Sequence, residues 1–192
     1  MAEIEDIAET QIDEQLMSEI FRFRYNVYID ELNYFASDSD SVCSNSMESD
    51  EYDKYSKHIV IREGTEIVAY ARIIKDLGQG LLVLNKLGIS EEFSNVKKVE
   101  VSRMIVRSDY RYSKVIWRLI DEIYKSLLDI DCTLILADTF RNSNSYQILK
   151  MLGFKELGIS YHDSTYELDV DSVVLYSEKE DMKNNWKRIL RR

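Results

Sequence analysis

The stretch Val-Glu-Val-Ser-Arg-Met-Ile-Val at 99–106 places an acid and a base inside an otherwise apolar segment of strand type. Alternate side chains of a strand share a face, which predicts that Glu100 and Ser102 point one way while Val101 and Arg103 point the other. A buried carboxylate or guanidinium is costly unless it is paired, so each group needs a partner or a substrate. In that setting a carboxylate can act as a general base, and a guanidinium can bind an anionic substrate group.

The elements that must position these residues follow from hydrophobic periodicity and from glycine, because the chain contains no proline. Apolar residues at three- and four-residue steps predict helices, and short apolar runs bounded by turn residues predict strands. The predicted elements are a helix over 12–32 in two pieces, a hairpin of 58–62 and 66–75 around the turn 63–65, a short strand near 81–84, the strand with Glu100, a helix over 113–128, a strand over 132–137, a helix opened by Asn142, the turn Leu152-Gly153-Phe154, strands at 154–160 and 166–176, and a helix over 178–190.

The alternation of strand and helix between 99 and 152 predicts a right-handed crossover and parallel pairing of two strands. Together with the hairpin it predicts an α/β (α+β) fold with a mixed sheet of about six to seven strands flanked by helices. A chain of 192 residues with 45% hydrophobic content is long enough for one domain over 1–192. Within it we expect 1–10 to be flexible and 36–50, which is rich in Ser and Asp, to be a mobile loop.

Composition excludes several classes of function. No apolar run reaches the roughly 20 residues of a membrane span, and the acidic start does not resemble a secretory signal, so we expect a cytoplasmic protein. Two cysteines and two histidines predict neither a disulfide nor a metal site. The formal charge of −10 disfavours nucleic-acid binding. Residues 97–118 nevertheless carry seven bases against two acids, which suggests a specific anionic partner, or else a solvated helix face.

The turn before the predicted helix at 113 is a candidate phosphate site. A crossover places a helix N-terminus beside the end of the Glu100 strand, where backbone amides around Arg111-Tyr112-Ser113-Lys114 could hold a phosphate.

The chain resembles GNAT-type acyltransferases, in particular the branch that holds the N-acyl homoserine lactone (autoinducer) synthases and the long-chain N-acyl amino acid synthases. The resemblance covers most of residues 20–155. The residues that carry it are Phe21-Arg22-Phe23-Arg24-Tyr25-x-Val27-Tyr28 followed by Tyr34, Asp50-x-x-Asp53, Arg72 and Glu100-x-Ser102-Arg103. The motifs Tyr25-x-Val27-Tyr28 and Asp53-x-x-Ser56-x-His58 resemble those of the amino acid synthases more than those of the autoinducer synthases.

Two departures from the acetyltransferase pattern bear on the donor and on the leaving group. The turn at 111–116 lacks both glycines that let the backbone wrap the pyrophosphate of coenzyme A. An acyl carrier protein, which has one phosphodiester and an acidic surface, suits the surrounding arginines and lysines better. The usual tyrosine that protonates the thiolate is replaced by Leu149, and Tyr146 on the same predicted helix is as readily a packing residue.

The resemblance implies transfer of a long-chain fatty acyl group from an acyl carrier protein thioester to the α-amine of an amino acid, with no tightly bound cofactor. Glu100, with Ser102 beside it, is the expected catalytic group. The expected acceptor site carries charged and aromatic residues, and the same charged residues could equally form a static ion-pair network. The acceptor-site residues are Arg24, Tyr28, Tyr34, Asp50, Asp53, Arg72 and Arg103. The acyl-phosphopantetheine arm is expected at Ile105, Val106, Arg111, Ser113 and Lys114, with backbone amides of 103–106 as oxyanion donors.

Three alternatives remain open. The chain can be an N-acyl homoserine lactone synthase that uses S-adenosylmethionine as the amine substrate. It can be an acetyltransferase that uses acetyl-CoA. It can also be a carrier-protein binding module without catalysis, because a fold does not guarantee chemistry.

Overall fold

Two apolar runs on either side of Gly64 form the hairpin that the sequence predicts, β4 (Ser56–Glu63) and β5 (Glu66–Lys75). Gly64 supplies the turn with a φ of +61°, which a side chain would disfavour. The computed structural model describes residues 4–6, 13–34, 43–141, 143–163 and 170–190. The other described strands are β1 (Ile4–Asp6), β2 (Cys43–Ser44), β3 (Met47–Glu48), β6 (Lys98–Val106), β7 (Leu134–Phe140), β8 (Lys155–Tyr161) and β9 (Ser172–Glu178).

Helical segments connect these strands where the sequence shows amphipathic periodicity. Asp13 caps the first helix by accepting a hydrogen bond from the backbone N–H of Gln15 at 2.9 Å. The described helices are α1 (Glu14–Tyr25), a π-helical segment (Asn26–Glu31), α2 (Leu82–Leu87), α3 (Val115–Asp129), α4 (Asn144–Met151) and α5 (Lys179–Leu190). The first predicted helix therefore forms in two pieces, as expected.

The sheet has seven strands in the order β1-β4-β5-β6-β7-β9-β8, and β2 and β3 form a separate two-stranded ribbon. Strands β6 and β7 pair in parallel, whereas β9 pairs antiparallel with both β7 and β8. The predicted mixed sheet is thus confirmed. The pairing of β6 with β7 covers Lys98–Glu100, and β6 continues beyond this pairing to Val106.

By proximity of Cα atoms the chain divides into two compact units. The first takes the described residues up to Arg72 and Arg103–Ile123, and its core includes Phe23, Val27 and Ile67. The second takes the described residues of 73–102, 124–163 and 170–190, and in it the ring of Trp186 packs against those of Tyr124 and Phe154. The expectation of a single domain stays a prediction.

Some predicted elements differ from the structure. The strand expected near 81–84 is wrong, because Leu82–Leu87 is helix α2, ended by Gly88 at a φ of +69°. A short apolar run has no period that separates strand from helix. Of the segment 1–10, residues 4–6 form strand β1 along β4, and the rest lies outside the described residues. Asn142 also lies outside them, and Ser143 caps α4 by accepting from the backbone N–H of Tyr146 at 3.0 Å.

Candidate active site

The ribbon of β2 and β3 brings a carboxylate into the core of the first unit. Glu48, the last residue of β3, is completely buried between two guanidiniums. Its Oε2 accepts from Nε of Arg24, and its Oε1 accepts from Nη2 of Arg103 at 3.0 Å. Of the loop expected to be mobile, residues 43–48 form this ribbon, and 36–42 lie outside the described residues. The expected mobility stays a prediction.

Arg24, on α1, is fully buried and is held by two carboxylates. Besides Glu48, it contacts Asp53, whose Oδ1 accepts from Nη1 at 2.5 Å. Its Nη2 has no hydrogen-bond partner among the described residues. The rings of Phe21 and Tyr70 lie 5.5 and 5.7 Å from its Cζ and stabilise the cation there.

Arg72, on β5, is also fully buried, and its fork binds Asp50 in bidentate geometry. Both Nη1 and Nη2 of Arg72 lie 2.6 Å from the carboxylate oxygens of Asp50. Nη1 also lies 2.7 Å from Oδ1 of Asp53. The turn itself fixes the two acids, since the backbone N–H of Asp50 donates to Oδ2 of Asp53 at 2.8 Å.

Arg103 interrupts strand β6 with a φ of +54°, a conformation that L residues rarely adopt. Strict alternation of faces therefore does not continue through this residue, as in a β-bulge. Its guanidinium lies 3.0 to 3.4 Å from Glu48 and 3.2 Å from Asp50, whereas that of Arg72 lies 2.6 Å from Asp50. Its Cζ lies 5.7 Å from the ring centroid of Tyr28.

We call these six residues the charged network: Arg24, Glu48, Asp50, Asp53, Arg72 and Arg103. Three cations face three carboxylates, so the network is electrically neutral. Burial raises the pKa of Glu48, but the guanidiniums of Arg103 and Arg24 outweigh burial and lower that pKa to about 2. Burial also raises the pKa of Asp50, and Arg72 more than offsets it, so this pKa lies well below its usual range. Glu48 and Asp50 are therefore ionised at neutral pH.

The π-helical segment carries Tyr28 and ends three residues before Tyr34, the other predicted pocket tyrosine. Its wide turns appear in the bond from the backbone N–H of Leu32 to the carbonyl of Val27 at 3.1 Å. The ring centroids of Tyr28 and Tyr34 lie 6.1 Å apart. Burial raises the pKa of both phenols, so both remain protonated.

Glu100 lies in the second unit and is completely buried. Its Oε2 accepts from the backbone N–H of Val83, in the first turn of α2, at 2.9 Å. Ser102 is buried as well. Because Glu100 is buried, any proton it takes must come from a group or a water molecule in direct contact with it.

The predicted donor turn uses many of its own hydrogen-bonding groups. The backbone N–H groups of Arg111 and Ser113 donate to the carbonyls of Ser108 and Tyr110, at 3.4 and 3.0 Å. The hydroxyl of Ser113 donates to the carbonyl of Tyr110 at 2.7 Å and accepts from the backbone N–H of Val115 at 3.1 Å. Lys114 is exposed, whereas Ile105 and Val106 are buried.

The basic stretch at 97–118 is largely neutralised within each unit. In the first unit, Arg107 pairs with Glu66 and Asp109, Arg111 with Glu31, and Arg118 with Glu63. In the second unit, Lys97 pairs with Asp131 and Lys98 with Asp76. The sum of charges therefore overstated how much positive surface this stretch offers a partner.

The comparison with known protein families decides the relationship. Residues 23–121, about half of the chain, match the model of the acetyltransferase (GNAT) domain. The chain belongs to the GNAT acyltransferase family. No curated protein matches the chain in sequence.

Solved structures show the same GNAT fold at low sequence identity. The CoA-dependent acyl-homoserine lactone synthase BjaI, with SAM and isopentyl-CoA, is 16% identical with a TM-score of 0.69, and the match covers 98% of this chain and 90% of that one. FeeM, an N-acyl amino acid synthase from uncultured soil microbes, is 14% identical with a TM-score of 0.65, over 96% of this chain and 93% of that one. ElaA from Escherichia coli is 21% identical with a TM-score of 0.59, over 93% and 100%. At such identities the likeness concerns the fold, which is the one expected from the sequence.

The structure brings together the charged residues predicted from the GNAT resemblance in the first unit. Arg24, Asp50, Asp53, Arg72 and Arg103 lie in one network, and Tyr28 lies beside Arg103. Their contacts with one another favour the ion-pair interpretation for Arg24 and Arg72, which are completely buried.

Sequence analysis missed Glu48, the acid at the centre of the network. It lies in a polar segment with several other acids, and nothing in its spacing separates it from them. The role of His58 was also missed. Its Nδ1 lies 2.7 Å from the hydroxyl of Tyr70, and its Nε2 lies 3.0 Å from the carbonyl oxygen of Asp53.

Tyr146 does more than pack in this GNAT fold. Its hydroxyl donates to the carboxylate of Glu156, and this bond is the first cause that raises the pKa of the phenol. Arg141 contacts the same carboxylate at 3.3 Å. A phenol that already donates its hydrogen bond to a carboxylate is a poor proton donor to a leaving thiolate.

Other classes of site are not found in the part of the chain that the structure describes. Within it no three His, Cys, Asp or Glu side chains form a group that could hold a metal ion. None of the described helices combines the length and apolar character that crossing a membrane requires.

Proposed function

We propose that this GNAT protein is an N-acyltransferase that moves a long-chain fatty acyl group from an acyl carrier protein thioester to the α-amine of an amino acid. The nitrogen lone pair attacks the thioester carbonyl, the tetrahedral intermediate collapses with cleavage of the C–S bond, and the carrier thiolate takes up a proton. The products are an N-acyl amino acid and the free carrier thiol. The amide forms without any oxidant, reductant or metal.

The observation that carries the choice of donor is the turn between β6 and α3. In the sequence it lacks the two glycines of the acetyltransferase pattern, and in the structure Arg111, Ser113 and Val115 already donate their backbone N–H groups within the protein. A diphosphate needs several free amides, whereas one phosphodiester needs fewer. Lys114 is exposed, so its ammonium group would pair with a single phosphate. These features favour a carrier-protein donor over coenzyme A.

The observation that supports an amino acid acceptor is the difference in burial and in ion-pair distance among the residues of the charged network. Arg24 and Arg72 are completely buried and closely held, so we assign them, with Glu48 and Asp53, to positioning. Arg103 lies 3.0 Å from Glu48 and 3.2 Å from Asp50, and its guanidinium would turn toward the substrate carboxylate. Asp50, the most exposed acid of the network, would bind the substrate ammonium. Tyr28 and Tyr34 would form the walls of the pocket.

The remaining roles concern proton transfer and the oxyanion. An α-amine with a pKa near 8 is partly protonated at neutral pH, so a base must take its proton. We assign this role to Glu100 acting through a water molecule, with Ser102 as a hydrogen-bonding neighbour. Backbone N–H groups of 103–106 would stabilise the oxyanion, and Ile105 and Val106 would line the path of the phosphopantetheine arm.

The proposal is tested by incubating the full-length protein with long-chain acyl carrier protein, the common amino acids and S-adenosylmethionine, followed by mass spectrometry. We expect an N-acyl amino acid, absent from a parallel reaction with Arg103→Ala and present with Arg118→Ala as the matched control. An acyl homoserine lactone would replace the proposal with the lactone synthase, the class to which BjaI belongs. Product from acetyl-CoA alone would make the protein an ordinary acetyltransferase, and carrier binding without any product would leave a binding module.

A further inference from the structure

The carboxylate of Glu31 occupies an anion-binding position in the first unit. The groups that donate to it come from residues far away in the sequence, so the residues around Glu31 do not predict this position. Glu31 is the last residue of the π-helical segment, 77 residues before Ser108 and 80 before Arg111. Its Oε2 accepts from the backbone N–H of Ser108 at 2.9 Å and also from Nη2 of Arg111. A backbone N–H together with a guanidinium is a common pair of donors to a phosphate oxygen.

The guanidinium of Arg111 is held in place independently of Glu31. Its Nε donates to the carbonyl of Val106, at the end of β6, at 3.0 Å. The side chain of Arg111 is 31% exposed and that of Glu31 is 19% exposed, so a ligand from solvent can reach the pair. If Glu31 moved away, one amide and one oriented guanidinium would face an incoming anion.

We infer that Glu31 is a specificity-determining residue that competes with the phosphate of the acyl donor for Ser108 N–H and Arg111. The inference rests on the proposed function in one respect, namely that the turn after β6 receives the donor's phosphate. A carboxylate already at this position repels added negative charge. It therefore disfavours the highly charged coenzyme A more than a carrier protein's single phosphodiester.

The position of Glu31 also connects the donor turn with the proposed acceptor pocket. Glu31 lies three residues from Tyr28 and three from Tyr34 along the chain, and the backbone N–H of Tyr34 donates to the carbonyl of Tyr28 at 2.8 Å. The positive charge of Arg111 also acts on the Tyr34 phenol, where it opposes the increase in pKa that burial causes. Displacement of Glu31 by a donor would thus release the end of the π-helical segment, which carries Tyr28 and precedes Tyr34.

The test compares coenzyme A binding to the full-length protein and to Glu31→Gln by isothermal titration calorimetry. Glutamine keeps the shape of the side chain and removes its charge, so we expect binding to tighten about fivefold or more. Pantetheine, which lacks phosphate, should bind both proteins equally. Glu66→Gln is the matched control, because Glu66 also pairs with an arginine of the basic stretch but is paired with Arg107 rather than with Arg111.

Each outcome decides the inference. Equal tightening by Glu31→Gln and Glu66→Gln would reflect net charge alone and would overturn it, as would unchanged or weaker binding to Glu31→Gln. Glu31→Ser provides a second neutral variant if the glutamine variant misfolds, with the same expected result. Binding is measured without turnover, so the inference about Glu31 can hold even if no amino acid is acylated. Absence of an acylated amino acid would count against the proposed function alone.

Discussion

The carboxylate of Glu100 caps helix α2 through the backbone N–H of Val83, at 2.9 Å. The residue proposed as the general base is thus also part of the structure of the second unit. The two roles make different demands on the side chain. Capping needs only an acceptor oxygen, whereas proton transfer needs a basic carboxylate.

The first prediction separates these roles. Glu100→Gln keeps an acceptor for Val83 and removes the base, so we expect kcat to fall about a hundredfold or more while the free energy of unfolding changes by less than about 1 kcal/mol. Glu100→Ala removes both functions and should also lose about 1–3 kcal/mol of stability. The measurements are steady-state kinetics and urea unfolding. Turnover at the native rate in Glu100→Gln would restrict Glu100 to a structural role.

The second prediction concerns Glu48. Glu48→Ala leaves Arg24 and Arg103 without their shared carboxylate, and breaking a buried ion pair by removal of one partner costs about 3–5 kcal/mol. Glu66→Ala is the matched control, since its pair with Arg107 is largely exposed and its loss should cost about 1 kcal/mol or less. Both values follow from urea unfolding at neutral pH. Similar losses in the two variants would show that the charged network contributes no more than a surface ion pair.

The third prediction tests Arg103 as the ligand of the acceptor carboxylate. Arg103→Lys keeps the charge but loses the planar fork, so the KM for the amino acid should rise about tenfold while the KM for the acyl donor stays unchanged. Arg118→Lys, on α3, should change neither value. If Arg103→Lys lowered the free energy of unfolding but changed neither KM, Arg103 would only hold the charged network in place and would not bind the acceptor.

The sequence predicted the charged network better than the elements around it. Arg103 stands out because it interrupts the apolar run at 99–106, whereas Arg24, Asp50, Asp53 and Arg72 were predicted from the resemblance to the GNAT branch. Once such charges are buried they must be paired. Glu48 carries no such signal, since its neighbours are polar and its burial depends on how a two-stranded ribbon folds over distant residues. The positive φ of Arg103 and the π-helical turn before Glu31 are likewise set by tertiary packing rather than by local propensity.

The fourth prediction is a pH dependence with two separate windows. The carbonyl of Asp53 can only accept, so Nε2 of His58 carries the hydrogen, and Nδ1 accepts from Tyr70. Burial lowers the pKa of His58; Asp53 opposes this and the charges of Arg24 and Arg72 add to it. The unfolded chain therefore binds this proton first, and stability should fall as the pH drops below about 6.5. The second window belongs to Glu48, whose contribution is lost between about 4.5 and about 2.

Free energies of unfolding in urea, measured from pH 7.5 downward, test the upper window. His58→Asn should flatten the slope there, which for one proton is at most about 1.4 kcal/mol per pH unit. His162→Asn, at an exposed position, serves as the control and should leave the slope unchanged. An unaltered slope in His58→Asn would assign that loss of stability to other groups.

The fifth prediction concerns the turn between α4 and β8. Gly153 has a φ of +95°, and a Cβ there would lie 2.6 Å from Nδ2 of Asn185 on α5. Gly158 has a similar φ of +83° with no atom within 4 Å of the same position. Gly158→Ala should therefore cost about 1–2 kcal/mol through backbone strain alone, and Gly153→Ala should cost up to about 1 kcal/mol more, because the amide end of the flexible Asn185 side chain must move away.

A double-mutant cycle separates strain from contact at this turn. In an Asn185→Ala background the contact is removed, so the cost of Gly153→Ala should fall to that of Gly158→Ala. Urea unfolding of the four proteins in the cycle gives the coupling free energy between the two positions. A coupling near zero would mean that Asn185 moves aside freely, so that backbone strain alone accounts for the cost of Gly153→Ala.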